Sequence, residues 1–473
     1  MAVPRDSVTI IGAGPAGLSA AIQLAQHGVH STIIDSSRHI GGAIYKQPDI
    51  AGSRGAPINE KAAAEARALL AEFDHRRPRV TEKLGSDVVG CFPKSNTVVL
   101  SCEGKLCTHT YRFLILGTGC HERAQPFSGW TLPGVMGLGG MQTQVKCGLV
   151  RPGNRVAIVG SGPLMILAAR EMHQAGMDVV GVFEARGRRD LLRTAGHLLS
   201  NPKLLMEGLG HLRYCKQHRI PLHFGYGVVA AKGRERIEEL EVAPYTEQWQ
   251  PVRERSVSLK VDCAAVSYGF VPRTQIAQML RCAHGYDRQA GGYRPVTDEW
   301  QRTSVKHVYS AGDTAGVHGS PVAMLEGRLA ALACLADMRV LSGEKAEEKA
   351  EPLRRRTARI RSFHRAFEYF SHEKPGMFDL LDDDCVVCRC EGVTKAVLDQ
   401  ALEAGVLDIN SLKLRTRIGM GECQGKMCSP FCSEYLVSRQ NSSPGAVGML
   451  SPRFPLAPVP MAALAGSKEQ DDG

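Results

Sequence analysis

Val8-Thr9-Ile10-Ile11-Gly12-Ala13-Gly14-Pro15-Ala16-Gly17 is the stretch that decides the fold. Four apolar or β-branched residues run into Gly-x-Gly-x-x-Gly, and a helical stretch follows to about His27. A second strand, Ser31–Ile34, ends at Asp35, 23 residues after Gly12. Gly12 permits the tight turn, Gly14 lets the backbone approach a pyrophosphate, and Gly17 allows close helix–strand packing. The helix N-terminus adds amides and dipole for the phosphates. Glycine turns of this kind also occur for structural reasons alone. Here the strand–helix–strand context and the acid at Asp35, placed to accept from ribose hydroxyls, make the segment dinucleotide-binding. Gly12, Gly14, Ala16, Gly17 and Asp35 are the candidate contacts.

Further pieces favour FAD over NAD at this loop. Gly41-Gly42 follows the second strand, as in flavoproteins with two dinucleotide-binding domains, where it lines the FAD crevice. Tyr111–Leu116 leads into Gly117-Thr118-Gly119 and reads as the return strand. Val308-Tyr309-Ser310-Ala311-Gly312-Asp313 is a short strand ending in Gly-Asp, where the aspartate resembles one that bonds the ribityl chain. Gly42, Gly119, Gly312 and Asp313 therefore join the FAD set. A second strand–glycine–helix unit interrupts the first. Arg155–Val159 runs into Gly160-Ser161-Gly162-Pro163-Leu164-Met165, and its next strand ends near Glu184. Met165 replaces the third glycine. Glu184 suits an NAD ribose, whereas Arg186, Arg188 and Arg189 suit a phosphate. A second nucleotide or flavin here stays unidentified, and a scaffold role stays open. The expected fold class is α/β, a glutathione-reductase-like flavoprotein with two dinucleotide-binding domains.

Length and composition agree with this. At 473 residues the chain predicts roughly three domains. With 43% hydrophobic and 22% charged residues it is ordinary globular material. Part of the net charge of +10 comes from Arg354, Arg355, Arg356, Arg359 and Arg361 at helical spacing, which reads as a solvated helix face or a surface for an acidic partner. Basic and aromatic residues do not interleave, so no nucleic-acid partner is expected. No serine elbow, Walker loop or zinc-protease helix is present. A strand pattern begins by Ser7 with no apolar leader, and no apolar run reaches membrane-spanning length, so the chain is expected to be cytoplasmic.

Cys388, Cys390, Cys423 and Cys428 stand as Cys-x-Cys, a gap of 32 residues, then Cys-x4-Cys. Fifteen cysteines in an apparently unexported chain argue for reduced thiols and metal ligation over disulfides. Four thiolates suit zinc or an iron–sulfur cluster equally by ligand type. The flavin machinery upstream favours a [2Fe–2S] cluster, because a flavin releases electrons singly to such a centre. The turn Gly419-Met420-Gly421-Glu422 presents Cys423 and Cys428, with amides free to bond cluster sulfurs. Cys385 and Cys432 lie close by, and each reads as a bystander or a substitute ligand.

These residues carry a resemblance to the FAD-containing subunits of heteromeric amino-acid dehydrogenases, those of hydrogen cyanide synthase (B subunit) and opine oxidase (A subunit). The most similar stretches are Gly119-Cys120-His121-Glu122-Arg123 through Met136, Ser411–Cys428, and Pro452 through Pro460. The cysteine pattern resembles a bacterioferritin-associated-ferredoxin-like [2Fe–2S] domain. The resemblance implies an FAD-binding domain at 1–122 plus 262–343, a second nucleotide-binding-like domain at 123–261, a helical connector at 344–384, the [2Fe–2S] domain at 385–440 and an extended tail at 441–473. The partners it implies are an amine-oxidase-type FAD subunit, a small ferredoxin-like subunit of the same complex, and a respiratory acceptor. A peripheral place on the cytoplasmic membrane would follow from such a complex. On this reading glycine would be oxidised to HCN and CO2. Opines, D-amino acids or hydroxyproline are alternative substrates, and a stand-alone NAD(P)H-dependent reductase is an alternative role. His121 and Glu122, just past the return strand, are candidate proton carriers beside the flavin.

Overall fold

Val8–Ile11 is buried at every residue because it is the centre of a five-stranded parallel sheet covered on both faces. Val8 stands opposite Ser31 on one side and Phe113 on the other; Val80–Lys83 and Val308–Ser310 form the edges. The computed structural model describes residues 8–45, 60–193, 202–368 and 374–465. The return strand spans Phe113–Leu116, two residues shorter than its apolar pattern suggests. Helix Pro15–Gln26 covers the sheet and packs against helix Ser320–Asp337. The crossing is tight: a Cβ added at Gly327 would lie 2.1 Å from the Ala16 carbonyl oxygen.

The second unit repeats the plan. Its parallel sheet has the order Leu222–Phe224, Asp178–Glu184, Arg155–Gly160, Cys263–Ser267, Val135–Gly137. The boundary expected at 262 is therefore corrected. Cys263–Ser267 pairs in parallel with Arg155–Gly160 and belongs to the second sheet. An apolar run such as Cys-Ala-Ala-Val-Ser does not reveal which of two parallel sheets will bury it. The two units are joined where Cys120–Glu122 pairs antiparallel with Phe270–Pro272.

The connector is one helix, Gly343–Glu368, laid along Ser320–Asp337. Its arginines are largely spent within the chain: Arg354 pairs with Glu347 and stacks on Trp300, and Arg355 pairs with Glu351. Arg361 reaches the fully buried Glu326 at 2.5 Å. Arg356 and Arg359 stand exposed on the outer face of the helix.

Beyond it, the hairpin Val386–Cys388 with Val393–Thr394 and the helices Lys395–Glu403, Ile409–Thr416 and Cys428–Gln440 form the cysteine module. Asp408 starts the second of these helices by accepting from the Asn410 and Ser411 amides, a cap worth about 1 kcal/mol. The module shares one hydrophobic core with the second sheet unit; Trp130, Trp249, Phe378, Phe431 and Tyr435 lie in it together. Trp130 Nε1 donates to the Val386 carbonyl at 2.6 Å. The segment expected as an extended tail is instead folded down. It has short helices at Pro444–Val447 and Met461–Ala465, and Leu456 N donates to the Val89 carbonyl at 2.8 Å. Among the described residues no helix is long and apolar enough to cross a membrane.

Glu326 ties the connector to the dinucleotide unit, since its other oxygen accepts from Gly312 N at 2.8 Å. Burial pushes its carboxyl up from 4.5 to about 7, with Arg361 opposing. For a group raised in the fold, the stability due to the neutral form is complete below its unfolded value and fades as pH passes 7. Arg361 therefore matters most where Glu326 is ionised. Arg361→Met should cost about 1–2 kcal/mol at pH 8 and clearly less at pH 5, measured by denaturant unfolding of both proteins at the two pH values.

Candidate functional site

The cleft forms where the first glycine loop meets the C-terminal ends of its parallel strands, the usual ligand position in such sheets. Gly12 has φ +108°, and a Cβ there would lie 2.2 Å from the Gly117 carbonyl oxygen. A Cβ on Gly17 would meet the Gly12 carbonyl oxygen at 1.8 Å, and one on Gly42 the Gly14 Cα at 2.7 Å. Gly14 differs: its nearest neighbour would be 3.7 Å away, so it faces open space in the cleft. Ala16 lines the cleft beside it. Asp35 accepts from Ala13 N at 2.6 Å and Ser37 N at 2.7 Å, which fixes the turn and sets its carboxylate at the cleft edge.

The other end of the cleft is built from Gly119, Cys120, Asp313 and the start of helix Ser320–Asp337, with Gly312 buried behind that wall. Gly119 N donates to Thr314 Oγ1 at 2.8 Å, which clips the return strand to the Gly-Asp turn. Gly312, at φ +70°, leaves room for Ala16 and Ala323. Asp313 accepts from His318 N and Gly319 N, both at 3.1 Å, and burial raises its carboxyl. Cys120 Sγ donates to the same carboxyl at 3.4 Å, and burial raises this thiol well above its ordinary value. No motif singles out Cys120 as a cleft residue; its place directly after Gly117-Thr118-Gly119 is the signal that could have found it.

Three segments far along the chain contribute to the cleft. Arg273 enters from the linking strand pair. Lys426 enters from the loop between Cys423 and Cys428, and Leu456 and Ala457 from the folded-down tail. Lys426 Nζ donates to the Leu456 carbonyl at 3.0 Å. Burial lowers its ammonium, with the Arg273 charge next in effect. No sequence motif marks any of the three.

The four module cysteines come together as two pairs. Cys388 is in hydrogen-bond contact with Cys428, and Cys390 with Cys423. Cys388 is held down to about 5, by the Cys428 thiol first and then by the amides of Gly419, Glu391 and Cys390. The Cys423 amide likewise reaches Cys390. Among the described residues no three or more His, Cys, Asp or Glu side chains gather as a group that could hold a metal ion. Cys385 and Cys432 are buried outside the pairs. Another Cys-x4-Cys spacing, Cys102 and Cys107, falls on the antiparallel strands Thr97–Cys102 and Lys105–Thr110 with both thiols free.

His121 and Glu122 are not brought to the dinucleotide cleft. Glu122 accepts from Gly139 N at 2.7 Å and Gly140 N at 3.3 Å, so it closes the start of helix Leu138–Lys146. His121 lines a neighbouring pocket between the strand pair and the cysteine module. Its ring bonds the Lys426 carbonyl at 2.7 Å through Nε2, which must carry the hydrogen because a carbonyl only accepts. Burial, then the Arg273 charge, lowers its pKa to about 4, which leaves a neutral ring and a weak base at neutral pH. The second glycine loop is occupied by its own acid. Glu184 accepts from Ser161 Oγ and Gly162 N, both at 2.8 Å, and from Arg186 N at 3.0 Å. Arg186 is buried over the Trp249 ring, while Arg188 and Arg189 are exposed.

Residues 6–327 match the family model described as pyridine nucleotide-disulphide oxidoreductase, and residues 385–467 match the sarcosine oxidase A3 domain. Hydrogen cyanide synthase subunit HcnB of Pseudomonas protegens is 40% identical over 98% of each chain. An opine oxidase subunit from Agrobacterium tumefaciens is 30% identical over 96% of this chain and 90% of its own. L-proline dehydrogenase from P. horikoshii superposes with a TM-score of 0.70 at 20% identity, covering 97% of this chain and 79% of its own, a likeness of fold. The cleft fits the FAD of such proteins: glycines at 12, 17 and 42 let backbone segments close on one another to form its cradle, and Gly14 lines the space within. Because Gly14 borders open space, Gly14→Val should leave the thermal unfolding curve nearly unchanged. It should weaken FAD by roughly 100-fold, about 3 kcal/mol, read as loss of flavin absorbance from the purified chain.

Proposed function

We infer the function from one premise: the chain belongs to the pyridine nucleotide-disulphide oxidoreductase family, and it shares nearly its whole length with hydrogen cyanide synthase and opine oxidase subunits. On our reading it is the FAD-containing, electron-transferring subunit of a heteromeric amino-acid dehydrogenase, and its complex oxidises glycine to HCN and CO2. The observation that carries this reading is the shared wall. The loop holding Cys423 and Cys428 also lines the FAD cleft through Lys426. Two redox groups held on the two sides of one loop can exchange electrons without a mobile carrier.

The two thiol pairs fit a [2Fe–2S] cluster, and the flavin cleft that shares their loop favours it over zinc, which carries no electrons. Each iron of a two-iron cluster needs only two thiolates, and Cys388 with Cys428 and Cys390 with Cys423 supply two such sets. The amides on Cys388 would raise the potential of a centre held there. When bound, FAD accepts electrons in pairs and the cluster passes them on singly.

The chain's own residues then bind and position. Gly12, Gly14, Ala16, Gly17 and Gly42 admit the dinucleotide, Asp35 fixes the turn, and Gly119, Gly312 and Asp313 hold the far end. Cys120 and Asp313 share a buried proton contact at that end. Substrate chemistry belongs to an amine-oxidase-type partner subunit, with a small ferredoxin-like subunit, then a respiratory acceptor, completing the path. Glycine to HCN and CO2 releases four electrons, so the relay runs twice per turnover. The acid-filled second loop and the stacked Arg186 argue against hydride entry from NAD(P)H through the second unit.

Co-expression with the partner subunits, then assay of HCN from glycine, tests this reading. Oxidation of an opine or proline with no HCN would reassign the substrate. Cys423→Ser should remove iron and acid-labile sulfide and lower turnover at least about 100-fold. Zinc without sulfide in the parent protein would overturn the cluster.

A further inference from the structure

The FAD cleft carries charges of both signs. Asp35 holds two backbone amides, Asp313 holds two amides and a thiol, and Asp87 lies on the wall that Lys426 shares, where its charge favours the ammonium. Lys426 Nζ holds the Leu456 carbonyl. Among the described residues, no carboxylate forms an ion pair with Arg273 or with Lys426, although both side chains border the cleft. Two cations sharing a partly enclosed space repel each other, and each lowers the field the other would otherwise enjoy. An anion between or beside them relieves that repulsion. FAD carries its negative charge on the diphosphate, and is the anion the glycine cradle admits.

Lys426 differs from Arg273 in where its backbone lies. It sits between two of the module cysteines. Its carbonyl accepts from His121 Nε2 at 2.7 Å, and the amide of Lys426 itself follows the turn by donating to the Cys423 carbonyl at 3.1 Å. Its ammonium holds the tail at the Leu456 carbonyl. Ser429 N closes the next turn on the Gly425 carbonyl at 2.9 Å. One side chain therefore connects the cysteine loop, the tail and the cleft.

We propose that Lys426 is an FAD-binding residue supplied by the cysteine module, so that FAD binding and the order of the cysteine loop are energetically coupled. This rests on the FAD reading of the cleft and adds to it a positioning role that the glycine loop cannot supply. Coupling of this kind is reciprocal: if FAD orders the loop, a disordered loop weakens FAD by the same factor. Assembly of the centre at Cys423 and Cys428 would then follow FAD loading, and a chain without FAD would hold its thiols loosely.

The test uses the full chain stripped of flavin and titrated with FAD. Lys426→Met keeps the aliphatic stem and removes the charge; Lys426→Arg keeps a charge. FAD should bind to Lys426→Met at least roughly tenfold more weakly than to the parent, and Lys426→Arg should recover most of that loss. Added FAD should slow amide hydrogen exchange across 419–430 in the parent and much less in Lys426→Met. Parent-like FAD affinity in Lys426→Met, or exchange across 419–430 that ignores FAD, would overturn the coupling. A parent chain that binds no FAD at all would instead refute the FAD reading of the cleft, and this result is distinguishable from the other two.

Discussion

The cysteine loop is pinned against the dinucleotide cleft, and the character of the chain follows from how firmly it is pinned. The larger share of that hold is apolar. A single core runs from the second sheet through Trp130 and Trp249 into Phe378, Phe431 and Tyr435 of the module. Phe378 meets Phe431 edge-on at 5.6 Å and Tyr435 at 5.5 Å, and Phe431 stacks on Tyr435 at 5.8 Å. Each such contact adds about 0.5–1.5 kcal/mol beyond burial. The exposed ion pairs at the module's surface, such as Arg417 with Glu391, add about 1 kcal/mol at most. Dispersion and burial set the module's place; the polar contacts at His121, Tyr286 and Tyr293 set its register against the first unit.

Electrostatics separates two glycine loops that look alike in sequence. In the first, the acid after the second strand bonds a loop amide yet remains at the edge of an open cleft flanked by Arg273 and Lys426. In the second, Glu184 is buried against Ser161 and Gly162, and Arg186 lies over Trp249. The same motif therefore yields an anion-seeking cavity in one unit and a self-satisfied turn in the other. The second unit carries the core on which the cysteine module is seated.

Much of the first unit was legible along the chain. Glycines with forced contacts, apolar runs of strand length and the Gly312-Asp313 turn are local devices, and each sits where its pattern indicated. The domain boundary at 262 was not legible, since pairing between Cys263–Ser267 and Arg155–Gly160 is a contest between two similar sheets. Glu122 read as a proton carrier because it follows the return strand; the start of a helix 16 residues later claims its carboxylate. The tail was expected to be extended, yet Leu456 bonds Val89 and Phe454 covers Gly90.

What the amino-acid order determined by itself was chemistry that local spacing can encode: a dinucleotide turn needing glycine at set positions, and two cysteine pairs able to serve a soft metal centre. What only the tertiary structure decided was proximity. Arg273, Lys426 and Leu456 carry no motif and lie far apart in sequence, and they meet in one cleft because the linking strand pair, the cysteine module and the tail fold onto the same edge of the first sheet. Spacing is a property of neighbours along a chain. Which side chains share a cavity depends on how separate elements bury their apolar faces together, and no short stretch of residues contains that information.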